Sequence, residues 1–277
     1  MPILKRFFLP VVFFLAILSS AQSAIKPTRI ISLMPSNTEI IYALGLDSRL
    51  IANTNYCDYP PAANHKEKIG DFIHPNFEKI VALKPDLILA GLWKSAHIVP
   101  KLRQSGFKVV ELPLPSTLEE IYSSVQNVAD ALQESERGKQ LVSRLKQEAA
   151  PLLVQAQRRK NRPTFYIEVD PPNWTISNKS YISDALERCG AINIFRDLPL
   201  SGAQISWESV LEKDPDILII CGTTRKEVAQ RPGWNHLKAI KNNHVIDRNS
   251  GLILNRPTGR VLDGMKRFSK LLNTFGY

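Results

Sequence analysis

The sequence predicts an α/β protein built from two similar lobes, each with a mostly parallel sheet, joined by a helical segment. Three observations carry this. First, FEKIVALKPDLILAG at 77–91 is written again as WESVLEKDPDILIIC at 207–221, an offset of 130 residues held without a gap. Second, strand-like and helix-like runs alternate before residue 117 and again after residue 160, the pattern of parallel strands with crossover helices. Third, Leu118 to Lys160 keeps helical spacing with no strand signal. The boundaries that follow are an N-terminal lobe at 24–116, a helical bridge at 117–160 and a C-terminal lobe at 161–277. An offset this long lies far outside solenoid periods and reads as duplication of a lobe.

Residues 1–23 stand apart. Lys5 and Arg6 precede an apolar run from Phe7 to Leu18, then small residues. That is the layout of a secretory signal peptide, too short for a spanning helix. No Cys follows the run, so a soluble periplasmic protein is expected rather than a lipid-anchored one.

In the first lobe, RIISLM (29–34) is a strand ended by Pro35. Ser36-Asn37-Thr38-Glu39 then fits a capping box, with Glu39 reaching back over the first turn. Gly45 stops the helix. LIANT (50–54) is the next strand, and NYCDYPPAANH is a loop. Pro85 ends the helix of the first repeat, because it cannot supply a backbone N–H and disfavours helix in the residue before it. DLILA, the helix VPKLRQSG and the strand FKVVELP follow.

The bridge holds LEEIYSSVQNVADALQ and a second helix starting near Ser135. If continuous over about 26 residues, the second helix spans roughly 39 Å, with Pro151 as an expected kink. In the second lobe TFYIEV is a strand, SYISDALERCG a helix, HVIDR a late strand and RVLDGMKRFSKLL a closing helix.

Composition narrows the function. The formal charge of +10 becomes about +8 without the leader. The basic residues are scattered, and the one dense cluster, RRKNR at 158–162, reads as a solvated helix end. Nucleic acid is therefore not the expected partner. Cys57, Cys189 and Cys221 match no zinc spacing, and Cys221 is expected to be a buried small hydrophobe. The strand–turn–helix unit at 29–45 lacks the glycine pattern of a nucleotide site. No G-x-S-x-G elbow is present, and no histidine pairs with Glu at metal-ligand spacing. Neither an enzyme nor a metal carrier is the favoured reading.

Six blocks in order, SLMPSNTEIIYALG, NYCDYPPAA, NFEKIVALKPDLILAG, WTISNKSYISDALERCGAINIF, ISWESVLEKDPDILI and NRPTGRVLDG, resemble the vitamin B12-binding periplasmic proteins. These are helical-backbone (class III) substrate-binding proteins of ABC importers, whose relatives also serve siderophores and haem. The resemblance implies Rossmann-like lobes bridged by a rigid helix, with ligand in the cleft between them and little closure. It implies that Glu78 and Glu208, the second residues of the two repeats, dock on a permease dimer that works with ATPase subunits. A pseudo-twofold protein can address a twofold receptor with similar contacts on both sides.

The cargo expected from the resemblance is cobalamin or a related corrinoid, bound without chemistry or a resident cofactor by a monomeric carrier. A ferric siderophore or haem is the alternative. Tyr56 matches a ligand-facing tyrosine, and Phe72 falls where these proteins carry a tryptophan. Trp93 follows the first repeat strand, and Trp174 follows the first strand of the second lobe. Arg256, in NRPTGR, matches an arginine near the ligand. Trp207 and Trp234 are read as packing. Two departures stand out. Gly202 occupies the place of a second-lobe tryptophan, for which Trp174 is a candidate substitute. The family's partner for Cys189, in the C-terminal helix, is missing.

Overall fold

The structure, a computed structural model, describes residues 26–71, 73–91, 98–169, 173–250, 252 and 254–277. The leader reading lies outside them. No helix among the described residues is long and apolar enough to cross a membrane.

The N-terminal lobe runs β1 (Ile30–Ser32), α1 (Pro35–Ala43), β2 (Leu50–Asn53), β3 (Glu67–Lys68), α2 (Phe77–Leu83), β4 (Leu87–Gly91), α3 (Val99–Gln104) and β5 (Val109–Leu112). Its sheet is parallel throughout, in the order β3-β2-β1-β4-β5. The bridge is α4 (Leu118–Ala131) and α5 (Ser135–Gln157). The C-terminal lobe runs β6 (Thr164–Glu168), β7 (Trp174–Ile176), α6 (Tyr181–Arg188), β8 (Ile192–Asn193), β9 (Gly202–Gln204), α7 (Trp207–Lys213), β10 (Ile217–Ile220), α8 (Arg225–Ala229), α9 (Lys238–Lys241), β11 (Val245–Ile246) and α10 (Val261–Thr274). Its parallel sheet has the order β11-β10-β6-β8, and β7 pairs with β9 as a separate antiparallel ribbon. The orders β2-β1-β4-β5 and β8-β6-β10-β11 are the same arrangement, as duplication of a lobe requires.

The repeat is structural down to its caps. The Asn76 side chain accepts from the Lys79 N–H at the start of α2, and Ser206 accepts from the Ser209 N–H at the start of α7. Both helices end on a left-handed residue, Lys84 at φ 47° and Asp214 at φ 37°. The following proline in each case disfavours continued helix. The aspartate of each Pro-Asp pair then fixes the lobe's first strand. Asp86 accepts from the Thr28 and Arg29 N–H groups (2.7 and 3.0 Å), and Asp216 from the N–H and hydroxyl of Thr164 (2.8 Å each). Burial works to raise the Asp216 pKa, but the Thr164 hydrogen bonds and Lys238 outweigh it and hold it below the usual value.

Two helices, not one, tie the lobes together. The Asp184 carboxylate of α6 accepts from the Leu118 N–H at the start of α4 (2.8 Å), while Arg49 of the first lobe donates to the Leu132 carbonyl at its end (3.3 Å). Both contacts suit the helix dipole. The 23-residue α5, about 35 Å long, starts against the first lobe through Arg137 and the Leu44 carbonyl. It ends against α10 through Gln155 and Asn273. Pro151 lies inside α5 and does not end it.

Packing makes the connection stiff. One buried apolar cluster takes in Ile30, Ile41 and Leu89 of the first lobe, Ile121, Val128 and Leu145 of the bridge, and Phe165, Ile217 and Phe268 of the second. Smaller clusters fill the far side of each sheet, around Ile31, Ile80 and Ile88 and around Tyr166, Leu218 and Trp234.

Three expectations are corrected. The Ser36–Glu39 capping box does not form: α1 begins at Pro35 with Met34 as N-cap and no side-chain cap, and Glu39 is committed to the other lobe. Cys221 is exposed rather than buried. The stretch between the TFYIEV strand and the SYISDALERCG helix, read without a further strand, carries β7 with Trp174 at its start, because β9 supplies an antiparallel partner.

Candidate functional site

The chain segments after the sheets' C-terminal ends converge between the lobes, where open α/β sheets bind ligands. A cavity of about 610 Å³ is lined by Leu114, Pro115 and Ser116, which follow β5, and by Trp174, Lys179, Tyr181 and Gly202 of the second lobe. Leu114 and Pro115 also border a small void at the junction of β1 and β4, together with Met34, Gly91 and Pro257. A groove of about 650 Å³ is lined by α4 and α5 alone. No strand end opens into it, so the interlobe cavity is the better site.

The wall of that cavity is a fitted pair. Trp174 pairs with Gln204 and Ile176 with Gly202 in the β7–β9 ribbon. A Cβ at Gly202 would stand 2.8 Å from Trp174 Nε1 and 2.9 Å from the Thr175 carbonyl oxygen. Glycine is thus what lets the indole lie across β9. Trp174 remains 44% exposed, a large aromatic surface turned to solvent in a concave site. Lys179, a cation at this wall, donates to the Pro199 carbonyl (2.6 Å).

Arg256 and Tyr56 are not among the residues lining the cavity. Arg256 belongs to a charge cluster across the lobe junction. Glu39 of α1 is 4% exposed at its side chain and takes the Thr258 hydroxyl (2.7 Å), Arg260 (3.1 Å) and Arg256 (3.5 Å) from the second lobe. Arg256 also donates to Asp58 of the first lobe (2.8 Å), and Arg260 lies 3.7 Å over the Tyr59 ring. The loop carrying Tyr56 and Asp58 is stapled by Lys68, whose ammonium donates to the Thr54, Cys57 and Ala63 carbonyls. Tyr56 is exposed on that loop. Phe72 and Trp93 lie outside the described residues.

Glu78 and Glu208 are exposed in the first turns of the twin helices. Among the described residues, neither carboxylate has an ion-pair partner. Behind Glu208, Trp207 is locked in place. Arg231 sits between the Trp207 and Trp234 rings (4.9 and 4.7 Å) and forks onto the fully buried Glu168 at 2.7 and 2.8 Å. Trp234 is fully buried, so both tryptophans read as packing take that role. Cys189 is buried with its thiol directed at the Met265 carbonyl in α10. Burial pushes that thiol up to about 12, leaving it inert near neutral pH.

Sequence reasoning missed Glu39, Lys68, Asp58 and Arg231. The ion-pair partners of Arg231, Asp58 and Glu39 lie 63 to 221 positions away, so local spacing carried no signal; a glutamate three residues after a serine instead mimicked a cap.

The fold and cleft define a two-lobed substrate-binding protein. The sequence signature described as Periplasmic binding protein matches residues 30–250, and the chain belongs to that family. The Vitamin B12-binding protein of Vibrio cholerae is 34% identical over 246 residues, covering 86% of this chain and 87% of that protein. The crystal structure of periplasmic vitamin B12 binding protein BtuF of Vibrio cholerae superposes with a TM-score of 0.75 at 31% identity, over 90% of this chain and 98% of that one. A structure from Staphylococcus epidermidis, described as a possible iron-binding (periplasmic solute-binding) protein, gives a TM-score of 0.80 at 27% identity, over 90% and 99%.

Burial raises the Glu39 pKa above 4.5, although Thr258, Arg260 and Arg256 oppose the shift. The folded chain therefore holds this proton more tightly than the unfolded chain. The resulting stability is full below pH 4.5 and is lost as pH rises through the folded value. We expect the stability of the wild type relative to Glu39→Gln to fall on going from below pH 4.5 toward neutrality. Urea unfolding of both proteins across that range measures it; a flat or rising difference refutes the assignment.

Proposed function

We propose that this chain captures cobalamin or a related corrinoid between its lobes and hands it to the permease of an ABC importer. The observation that carries the reading is the interlobe cavity with its Trp174–Gly202 wall. A corrin offers a broad apolar face for the indole and amide arms for the cavity's polar rim, the mixture that a concave ligand site recognises. The relatives named for vitamin B12 binding support it. A second reading, a ferric siderophore or haem, is favoured by the likeness to the possible iron-binding protein and keeps the same cleft. In either case the chain binds and carries, with no reaction of its own, acting in the periplasm as a monomer.

Tyr56 and Arg256 flank the cleft in this reading, with Phe72 and Trp93 as further aromatic contacts. Glu78 and Glu208 are the docking carboxylates. Each is exposed at a matching place in the duplicated lobe, where charge-assisted pairs to arginines of a twofold permease would fix register.

Calorimetric titration of residues 24–277 with cyanocobalamin is expected to show one-to-one binding, weakened about tenfold or more by Trp174→Ala through loss of a large buried aromatic contact. Absence of heat for the wild type removes cobalamin and leaves the siderophore or haem reading. Unchanged affinity in the variant moves the ligand away from this wall.

Docking has a separate readout. With permease and ATPase reconstituted in vesicles, Glu78→Lys with Glu208→Lys should abolish stimulation of ATP hydrolysis while ligand affinity stays at the wild-type value. Full stimulation by the double variant would rule out the docking role.

A further inference from the structure

The charge cluster at the lobe junction bears on which ligands the cleft refuses. Arg256 is one residue from Pro257, which borders the void beside the cavity. Leu114 and Pro115 line both that void and the cavity itself. A lone arginine there would attract anionic cargo. It is not alone. Arg256 spans Glu39 at 3.5 Å and Asp58 at 2.8 Å, and Arg260 shares Glu39 at 3.1 Å. Two guanidiniums meet two carboxylates, so the cluster has no formal excess charge.

The two carboxylates differ in kind. Glu39 is 4% exposed and is also held by Thr258, whereas Asp58 is 61% exposed and makes a single ion pair among the described residues. Glu39 is built into the lobe junction. Removing it would leave the partly buried Arg260 guanidinium without its carboxylate. Asp58 can be changed without opening the junction, because its loop is held by Lys68 through backbone carbonyls rather than through Asp58.

We propose that Asp58 is a specificity-determining residue that neutralises Arg256 and thereby disfavours carboxylate-bearing ligands in the interlobe cleft. Discrimination of this kind works by withholding an attractive charge rather than adding a contact. The inference deepens the proposed function and rests on that reading for the location of the ligand, but it is read out with a different ligand.

The test uses haemin, a planar macrocycle with two carboxylates, titrated into wild type, Asp58→Asn, and Asp58→Asn combined with Arg256→Gln. Asparagine keeps the shape of Asp58 and removes its charge. We expect Asp58→Asn to bind haemin about fivefold tighter than wild type, the scale of one partly exposed ion pair. The gain should shrink as salt rises and vanish in the double variant. Equal haemin affinity in Asp58→Asn and wild type overturns the proposal. So does a gain that survives Arg256→Gln. Cyanocobalamin titrated into the same wild-type sample separates the two claims: if it fails to bind while the haemin gain appears, the corrinoid reading falls and the role of Asp58 stands.

Discussion

Everything in this molecule depends on an apolar core that does not stop at the lobe boundary. Residues of β1, α1 and β4, of both bridge helices, and of β6, β10 and α10 share one buried cluster. Rotating one lobe against the other would expose part of that cluster, at about 25 cal/mol for each Å² of apolar surface returned to water. Glu39 adds a polar lock at the same seam, since separating the lobes would strand a carboxylate that is almost wholly buried. The cleft is therefore a property of the fold at rest, and the cavity walls are set before any ligand arrives. That is economical for a carrier: little binding energy is spent on ordering the site.

The duplicated lobe carries the same rigidity to the surface. The caps, the left-handed helix ends and the Pro-Asp clamps recur at matching positions, so α2 and α7 sit in equivalent places on their sheets. Two exposed glutamates are thereby held at a separation that the shared core fixes. In the second lobe the stack of Trp207, Arg231 and Trp234 over the buried Glu168 extends this fixation from the end of β6 to the helix that carries Glu208. The twofold permease of the proposed function would meet a rigid two-pronged surface rather than two independently moving lobes.

Much of this was legible in the sequence because it is written in local signals. The 77–91 and 207–221 repeat, the proline stops and the alternating strand and helix runs pointed to two parallel sheets with helices between them, as the structure has them. That Trp174 lines the cavity was reachable because it follows the C-terminal end of a strand, although its strand character was not: three residues become a strand only when β9, some thirty positions on, pairs with them. Glu39 was misread for a related reason. Ser36 and Glu39 have capping-box spacing, but a buried carboxylate answers to the strongest donors within reach, and Thr258, Arg256 and Arg260 are brought there only by the closing of the second lobe onto the first. Arg231 and Lys68 likewise act through partners that only the folded chain supplies.

The central claim is that the two lobes form one rigid body around a preformed cleft. Spin labels at Val81→Cys in α2 and Glu212→Cys in α7, in a background with the exposed Cys221 changed to serine, would report the interlobe distance by pulsed electron resonance. A single narrow distance population is predicted, shifting by no more than about 1–2 Å when saturating cyanocobalamin, verified by titration, is added. A second population in the free protein, or a contraction well beyond that on loading, would contradict the account and make closure part of capture.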